Sequence, residues 1–143
     1  MPAGFTLIEI LVVVAVLAIA LAILVARGPL RSAGFEAQAA ATRLVQTLRL
    51  GRSRAIAADR PVPVVLDLAT RDVALDGVPR FVLPASATVA ARMADGRVPA
   101  RRVEFLFAPD GSATGGRVIL AIAERRLVVT VDWLTGRVGI TTP

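Results

Sequence analysis

The sequence predicts an α+β fold in which a long N-terminal helix packs on a C-terminal antiparallel β-sheet domain. Three observations lead to this prediction: a long apolar run near the start, a segment with helical spacing of apolar residues after it, and short β-branched segments separated by turns. A helix followed by a run of strands is the pattern of the α+β class. The predicted segments are 1–4, 5–27, 28–60 and 61–143.

The first helix is predicted from the 22 residues between Phe5 and Ala26, which include one charged side chain, Glu9. A helix of this length extends roughly 33 Å, enough to cross the hydrocarbon core of a bilayer. A conventional cleaved signal peptide is less consistent with the sequence, because no basic residue precedes the run and the run is too long. Segment 5–27 is therefore predicted to be a single-pass transmembrane helix.

Segment 28–60 is predicted to continue the helix in amphipathic form after an interruption at Gly28-Pro29. The apolar face is expected to carry Ala41, Leu44, Leu48 and Ala55, with Val45 and Ile56 beside them. The arginines of this segment are expected on the remaining surface, and Asp59-Arg60-Pro61 is expected to end the helix. These arginines are Arg43, Arg49, Arg52 and Arg54.

Segment 61–143 is predicted to be β-rich, since turn residues separate short runs of β-branched or alternating residues. The glycine-rich stretch 110–116 is interpreted as a hairpin loop, and Glu124-Arg125-Arg126 as a turn. Trp133 is predicted to share the inner face of the strand that begins at Leu127. The predicted strands are 61–68, one near Val73, 87–92, 103–107, 118–123, 127–133 and 138–141.

Composition excludes several kinds of chemistry, because the chain has no cysteine and no histidine. Disulfides, thiol catalysis, Cys/His zinc sites and a Ser-His-Asp triad all need one of these residues. No arrangement of the remaining residues indicates catalysis, a metal site or a cofactor. We therefore expect a protein that is not an enzyme; an enzyme anchored by the apolar helix is the alternative.

All 17 basic residues are arginine, against 11 acidic residues, which gives a net charge of +6. A codon-composition bias explains this choice; a basic surface for DNA or for an acidic partner is the functional alternative. The ordinary interpretation of the clustered arginines is that they lie at solvated strand ends. The candidate nucleic-acid-binding residues are Arg101, Arg102, Arg125, Arg126 and Arg137.

The residues Gly4-Phe5-Thr6-Leu7-Ile8-Glu9 resemble the processing motif of type IV pilins and type II secretion pseudopilins. The resemblance implies that a prepilin peptidase of the inner membrane cuts between Gly4 and Phe5 and methylates the new Phe5 amine. Residues 1–4 would then be the leader, although this leader lacks the basic residue usual in the family. Glu9 would be the fifth residue of the mature chain.

Physical chemistry gives Glu9 a role beside this resemblance. A carboxylate in a spanning helix costs about 2.5–3.5 kcal/mol near the bilayer centre, and the helix N-terminus and headgroup water reduce that cost. Pairing with a cationic Phe5 amine relieves the cost of both charges. The amine can belong to a neighbouring subunit or, at i,i+4 spacing, to the same helix.

The C-terminal residues are similar to the globular domain shared by GspH-type minor pseudopilins and FimT-type minor pilins. The resemblance lies in Phe107 to Gly116, Val118-Ile119-Leu120, Thr135-Gly136-Arg137 and the segment from Ser53 to Ala57. It implies a minor pseudopilin of a type II secretion system, anchored in the inner membrane with a periplasmic domain. Its partners would be the major pseudopilin and the other minor ones. The alternative is a FimT-like minor pilin that binds DNA through surface arginines for uptake.

Overall fold

The computed structural model describes residues 6–26 and 33–142 of the chain. These residues contain two helices and eight strands. The chain divides into two units, Met1–Arg31 and Ser32–Pro143. The first unit contains helix α1, Leu7–Ala26, and the second begins with helix α2, Ala33–Ala58. The predicted interruption at Gly28-Pro29 lies outside the described residues.

The strands of the second unit form two four-stranded antiparallel sheets. Sheet A has the order β3-β2-β1-β5, and sheet B has the order β4-β6-β7-β8. The strands are β1 Val62–Asp67, β2 Asp72–Leu75, β3 Phe81–Val82, β4 Thr88–Met93, β5 Arg102–Phe107, β6 Gly116–Ile122, β7 Arg125–Val131 and β8 Val138–Thr141.

Helix α2 packs against strands of both sheets and closes the hydrophobic core. Its predicted apolar face is confirmed at Ala41, Leu44, Leu48 and Ala55, which are all buried, whereas Ile56 is 46% exposed and was wrongly placed beside that face. At Gly51 the absence of a side chain permits close approach, because a Cβ there would lie 2.6 Å from a methyl group of Val64.

The end of α2 agrees with the prediction from Asp59-Arg60-Pro61. Asp59 adopts a positive φ of 47°, and the Arg60 N–H donates to the carbonyl of Ala55 at 3.3 Å. This bond satisfies a carbonyl that the last turn of the helix leaves without a partner. The chain then enters β1 at Val62.

The sequence predicted the glycine-rich stretch to be a hairpin loop, and this holds only for the short antiparallel pairing around Phe107 and Ala113. It does not join two neighbouring strands of one sheet, because β5 belongs to sheet A and β6 to sheet B. The loop carries the chain from one sheet to the other, and Ala113 forms an isolated bridge with Phe107 on the way. The turn predicted at Glu124-Arg125-Arg126 is also displaced. The turn is Ala123-Glu124, and both arginines already belong to β7.

Trp133 lies outside β7 and is 60% exposed, so the prediction that it shares the inner face of that strand is wrong. The strand ends at Val131 because the next residue turns the chain. The Asp132 carboxylate accepts hydrogen bonds from the N–H groups of Leu134 and Thr135, at 3.1 and 2.7 Å. An aspartate that binds its own downstream backbone in this way stabilises a turn.

Candidate functional site: the apolar helix and the arginine residues

Helix α1 begins at a threonine cap. The Glu9 N–H donates to the Thr6 carbonyl at 3.0 Å and to its hydroxyl at 3.3 Å, the geometry of an N-cap residue. Glu9 is therefore the third helical residue, in the first turn, where the helix dipole favours an anion. Gly4 and Phe5, the predicted cleavage site, lie outside the described residues.

Every side chain of α1 that the structure describes is exposed, although nearly all are apolar. The exposed fraction is 83% at Leu7 and 63% at Leu17. Glu9 is the helix's charged side chain, and no ion pair in the described parts of the chain involves it. Within residues 6–26 and 33–142, neither helix meets the length and apolarity required of a membrane span. The predicted span, 5–27, includes residues beyond these ranges and stays a prediction.

The five candidate nucleic-acid-binding arginines are exposed but do not form one cluster. Arg102 is the first residue of β5 in sheet A, and Arg101, just before it, pairs with Asp67 at 3.7 Å. Arg125 and Arg126 begin β7 in sheet B, whereas Arg137 follows the turn at the other end of that strand. The seven residues of β7 separate the Arg125-Arg126 end of the strand from the end where Arg137 lies by ~20 Å. The interpretation as solvated strand ends fits the first four of these residues.

A second group of arginines, predicted to be merely surface residues of α2, holds the helix to the strands and loops. Arg49 donates to the Val138 carbonyl at 2.9 and 3.3 Å, and Arg52 Nε donates to the carbonyls of Gly111 and Thr135 at 3.2 and 3.0 Å. Hydrogen bonds from a guanidinium group are stronger than neutral ones.

Two further arginines of α2 contact sheet A or its turns, one through a hydrogen bond and one through a cation–π contact. Arg54 Nη1 donates to the carbonyl of Asp76 in the turn after β2, and the Arg43 guanidinium lies 4.4 Å from the centre of the Phe81 ring. The four arginines thus connect one helix to elements of both sheets. Helical spacing alone could not reveal these contacts, because the accepting carbonyls are far away in sequence.

Four turn aspartates have pKa values below the ordinary value, each because hydrogen bonds from its own turn stabilise the carboxylate. For Asp132 the backbone N–H of Thr135 is the largest cause of the lowered pKa; for Asp110 it is the side chain of Ser112. The N–H of Thr70 lowers the pKa of Asp67, and the N–H of Arg97 lowers that of Asp95. These carboxylates stabilise turns. No group of three or more potential ligand side chains in the described residues is placed to hold a metal ion.

Comparison with known proteins places this architecture in a family. Residues 2–25 match the prokaryotic N-terminal methylation motif, and residues 40–136 match the family of the type II transport protein GspH. The second match covers more than half of the chain. The chain belongs to the GspH family.

A curated relative agrees with this assignment, and two solved structures share the fold. The type II secretion system protein H of Xanthomonas campestris pv. campestris is 33% identical over 138 residues, which is 94% of this GspH-family chain and 80% of the relative. The minor pseudopilin EpsH of Vibrio cholerae superposes with a TM-score of 0.61 at 16% identity, over 76% of this chain and 96% of EpsH. The type IV minor pilin FimU of Pseudomonas aeruginosa gives 0.54 at 17% identity, over 76% and 92%.

The family and fold predictions are therefore confirmed. The two structural matches are too distant in sequence to carry more than the fold, and the GspH fold occurs in both a pseudopilin and a type IV pilin. None of these matches favours the DNA-binding alternative. The role of Glu9 and the cleavage between Gly4 and Phe5 stay predictions.

Proposed function

We propose that the chain is a minor pseudopilin, a structural subunit of the periplasmic pseudopilus of a type II protein secretion system. The observation that carries the proposal is that one chain contains both a folded GspH domain and an apolar helix whose described side chains are all exposed. Such a helix needs a cover of lipid or of other apolar helices. The relative from Xanthomonas campestris, named as a type II secretion protein, supports the same assignment.

The proposed location follows from the same helix. Segment 5–27 anchors the chain once in the inner membrane, and the GspH domain lies in the periplasm until the subunit enters the filament. The partners are then the prepilin peptidase during processing, and the major pseudopilin and the other minor pseudopilins during assembly. The work of this subunit is packing, without a bound cofactor.

Glu9 supplies the charge that guides assembly in this proposal. Cleavage after Gly4 leaves a cationic amine at Phe5, which stays cationic after methylation. Helices that pack with an axial offset bring the carboxylate of one subunit to the amine of the next, and pairing relieves the cost of both charges in an apolar environment. The exposed position of Glu9 in the first turn of α1 leaves its carboxylate accessible to a neighbouring chain.

Processing is tested by co-expression with a prepilin peptidase, followed by mass spectrometry of the intact chain. The expected product lacks residues 1–4 and carries one added methyl group on Phe5. Gly4→Leu should leave the chain at full length, because a bulky residue cannot replace glycine at the cut. An unchanged mass of the native chain in the presence of active peptidase contradicts the proposal.

Assembly is tested with Glu9→Ala in cells that produce the complete secretion system. The variant should be processed normally but should enter sheared filaments far less than the native chain, since the partner amine is left without its carboxylate. Glu36→Ala is the matched control, because Glu36 is likewise an acid in the first turn of a helix, α2. Equal filament entry by both variants would refute the proposed role of Glu9.

A further inference from the structure

The outer face of sheet B carries two arginines that face each other directly. Arg92 of β4 is the cross-strand partner of Arg117 of β6, and the same row continues through Thr130 of β7 to Gly139 of β8. Both arginines are exposed, and no ion pair among the described residues includes either one. Like charges directly opposite in a sheet are destabilising. Folding of the chain alone therefore gives no reason for this pair.

An exposed tryptophan lies in the turn that follows β7, the strand that supplies Thr130 to this row. Trp133 and Leu134 are 60% and 63% exposed, yet their turn is firmly held. The Trp133 carbonyl accepts a hydrogen bond from the Ala113 N–H at 2.9 Å, and the Asp132 carboxylate binds the turn at three donors. A Cβ on Gly115 would lie only 2.5 Å from that of Trp133, so the loop between the sheets lies directly against the turn.

The two arginines and Trp133 line an open groove of about 730 Å³ on sheet B. The lining includes Arg92, Arg117, Thr130, Trp133, Arg137 and Gly139. We propose that this groove docks a folded protein partner that presents carboxylates around an apolar contact. Tryptophan and arginine dominate the energetically important centres of protein interfaces, and a guanidinium group binds a carboxylate through two parallel hydrogen bonds. A turn fixed in advance lowers the entropy cost of docking.

The neighbouring row of the same face distinguishes a protein partner from a nucleic acid. That row runs from Ala90 through Ile119 and Val128 to Thr141, and its first three residues are apolar and at least partly exposed. A protein surface can cover such a row, whereas a phosphate backbone gains nothing from it. Single-stranded nucleic acids stack on successive aromatic side chains, whereas among the described residues that line the groove Trp133 alone is aromatic. The combination fits an acidic protein surface.

The residues that line the groove all belong to the second unit, so docking here goes beyond the helix-mediated assembly proposed above. The test uses the full chain, in cells that make the complete secretion system, with a photoreactive phenylalanine analogue in place of Leu134. Irradiation should produce an adduct with one protein, and peptide mapping should place the cross-link beside acidic residues of that protein.

The decisive variant is Arg92→Glu in the cross-linking background. It should lower the yield of the adduct about tenfold, because it places a negative charge in the groove. It should not unfold the domain, since the new carboxylate faces Arg117 across the strands and replaces a repulsive pair with an attractive one. A melting temperature at or above that of the native chain therefore separates lost docking from misfolding. Arg60→Glu is the control, since it reverses the charge of an exposed residue that lies outside both sheets. It should leave the yield of the adduct unchanged.

A charge swap completes the test. Replacing the mapped carboxylate of the partner with arginine should restore the adduct with Arg92→Glu. The proposal is overturned if no protein adduct forms, if Arg92→Glu leaves its yield unchanged, or if the swap fails to restore it. It is also overturned if the full chain in detergent micelles retards a DNA duplex and Arg92→Glu abolishes that retardation. Processing and filament entry, measured in the same cells, report separately on the proposed function.

Discussion

The two helices of this protein acquire their stability in opposite ways. Helix α1 has apolar side chains around its whole circumference, and all that the structure describes are exposed. Helix α2 has a narrow buried face, and arginines beside that face hold it to the loops of both sheets. The comparison teaches that α2 finds its packing partner within its own unit, whereas α1 is the helix for which we propose a cover of lipid or of other subunits.

The largest expected difference between the helices comes from removing one leucine from each. Leu48→Ala in α2 should lower the free energy of unfolding of the domain by about 2–5 kcal/mol, because the side chain is fully buried and leaves a cavity. Leu17→Ala in α1 should leave that value unchanged, since Leu17 is 63% exposed. Chemical denaturation of both full-length variants in detergent, followed by the fluorescence of Trp133, measures the difference. Similar losses for the two variants would show that α1 also packs on the domain.

A smaller effect tests the arginine contacts of α2. Arg52→Ala should destabilise the domain by about 1–2 kcal/mol, because the carbonyls of Gly111 and Thr135 lose a shared charged donor. Arg52→Lys should recover only part of the loss, since a lysine lacks the planar fork of donors. Thermal unfolding of these variants measures both effects.

The control for Arg52 is Arg60→Ala, which removes an exposed arginine after the end of α2. It should change stability by no more than about 0.5 kcal/mol, as is usual for surface positions. If Arg52→Ala matched this control, the contacts between α2 and the loops would contribute nothing, and the buried face alone would hold the helix.

Local patterns in the sequence predicted the parts of the fold that depend on local spacing. The apolar spacing of α2 identified Leu44 and Leu48 as buried, and the alternation in β5 identified Val103, Phe105 and Phe107. Strand β3 has two residues, too few to show any alternation. Alternation along the strand would put Trp133 on the same face as Val131. The strand ends before Trp133, because the side chain of Asp132 stabilises a turn there.

The contacts between distant residues could not be predicted in this way. Arg49 and its acceptor Val138 are 89 positions apart, and nothing near either residue identifies the other. The assignment of β5 and β6 to different sheets was missed for the same reason, because a glycine-rich loop looks alike within a hairpin and between two sheets. The apolar helix and Glu9 were found because a long apolar run and one acid are purely local signals.

Acidification should have the smallest effect, which is expected on the stability of the GspH domain. The four aspartates with lowered pKa values lie in turns of the GspH domain or, for Asp67, at the end of the strand that leads into one. A carboxylate whose pKa is lowered by folding stabilises the folded state above its ordinary value of 3.8, and this contribution disappears as the pH falls through the lowered value. The melting temperature of the domain should therefore fall progressively below that pH. Asp132→Asn should reduce the dependence, because the amide oxygen still accepts the bonds from Leu134 and Thr135 but no longer titrates. An unchanged pH profile in this variant would mean that the turn holds its shape without the charge.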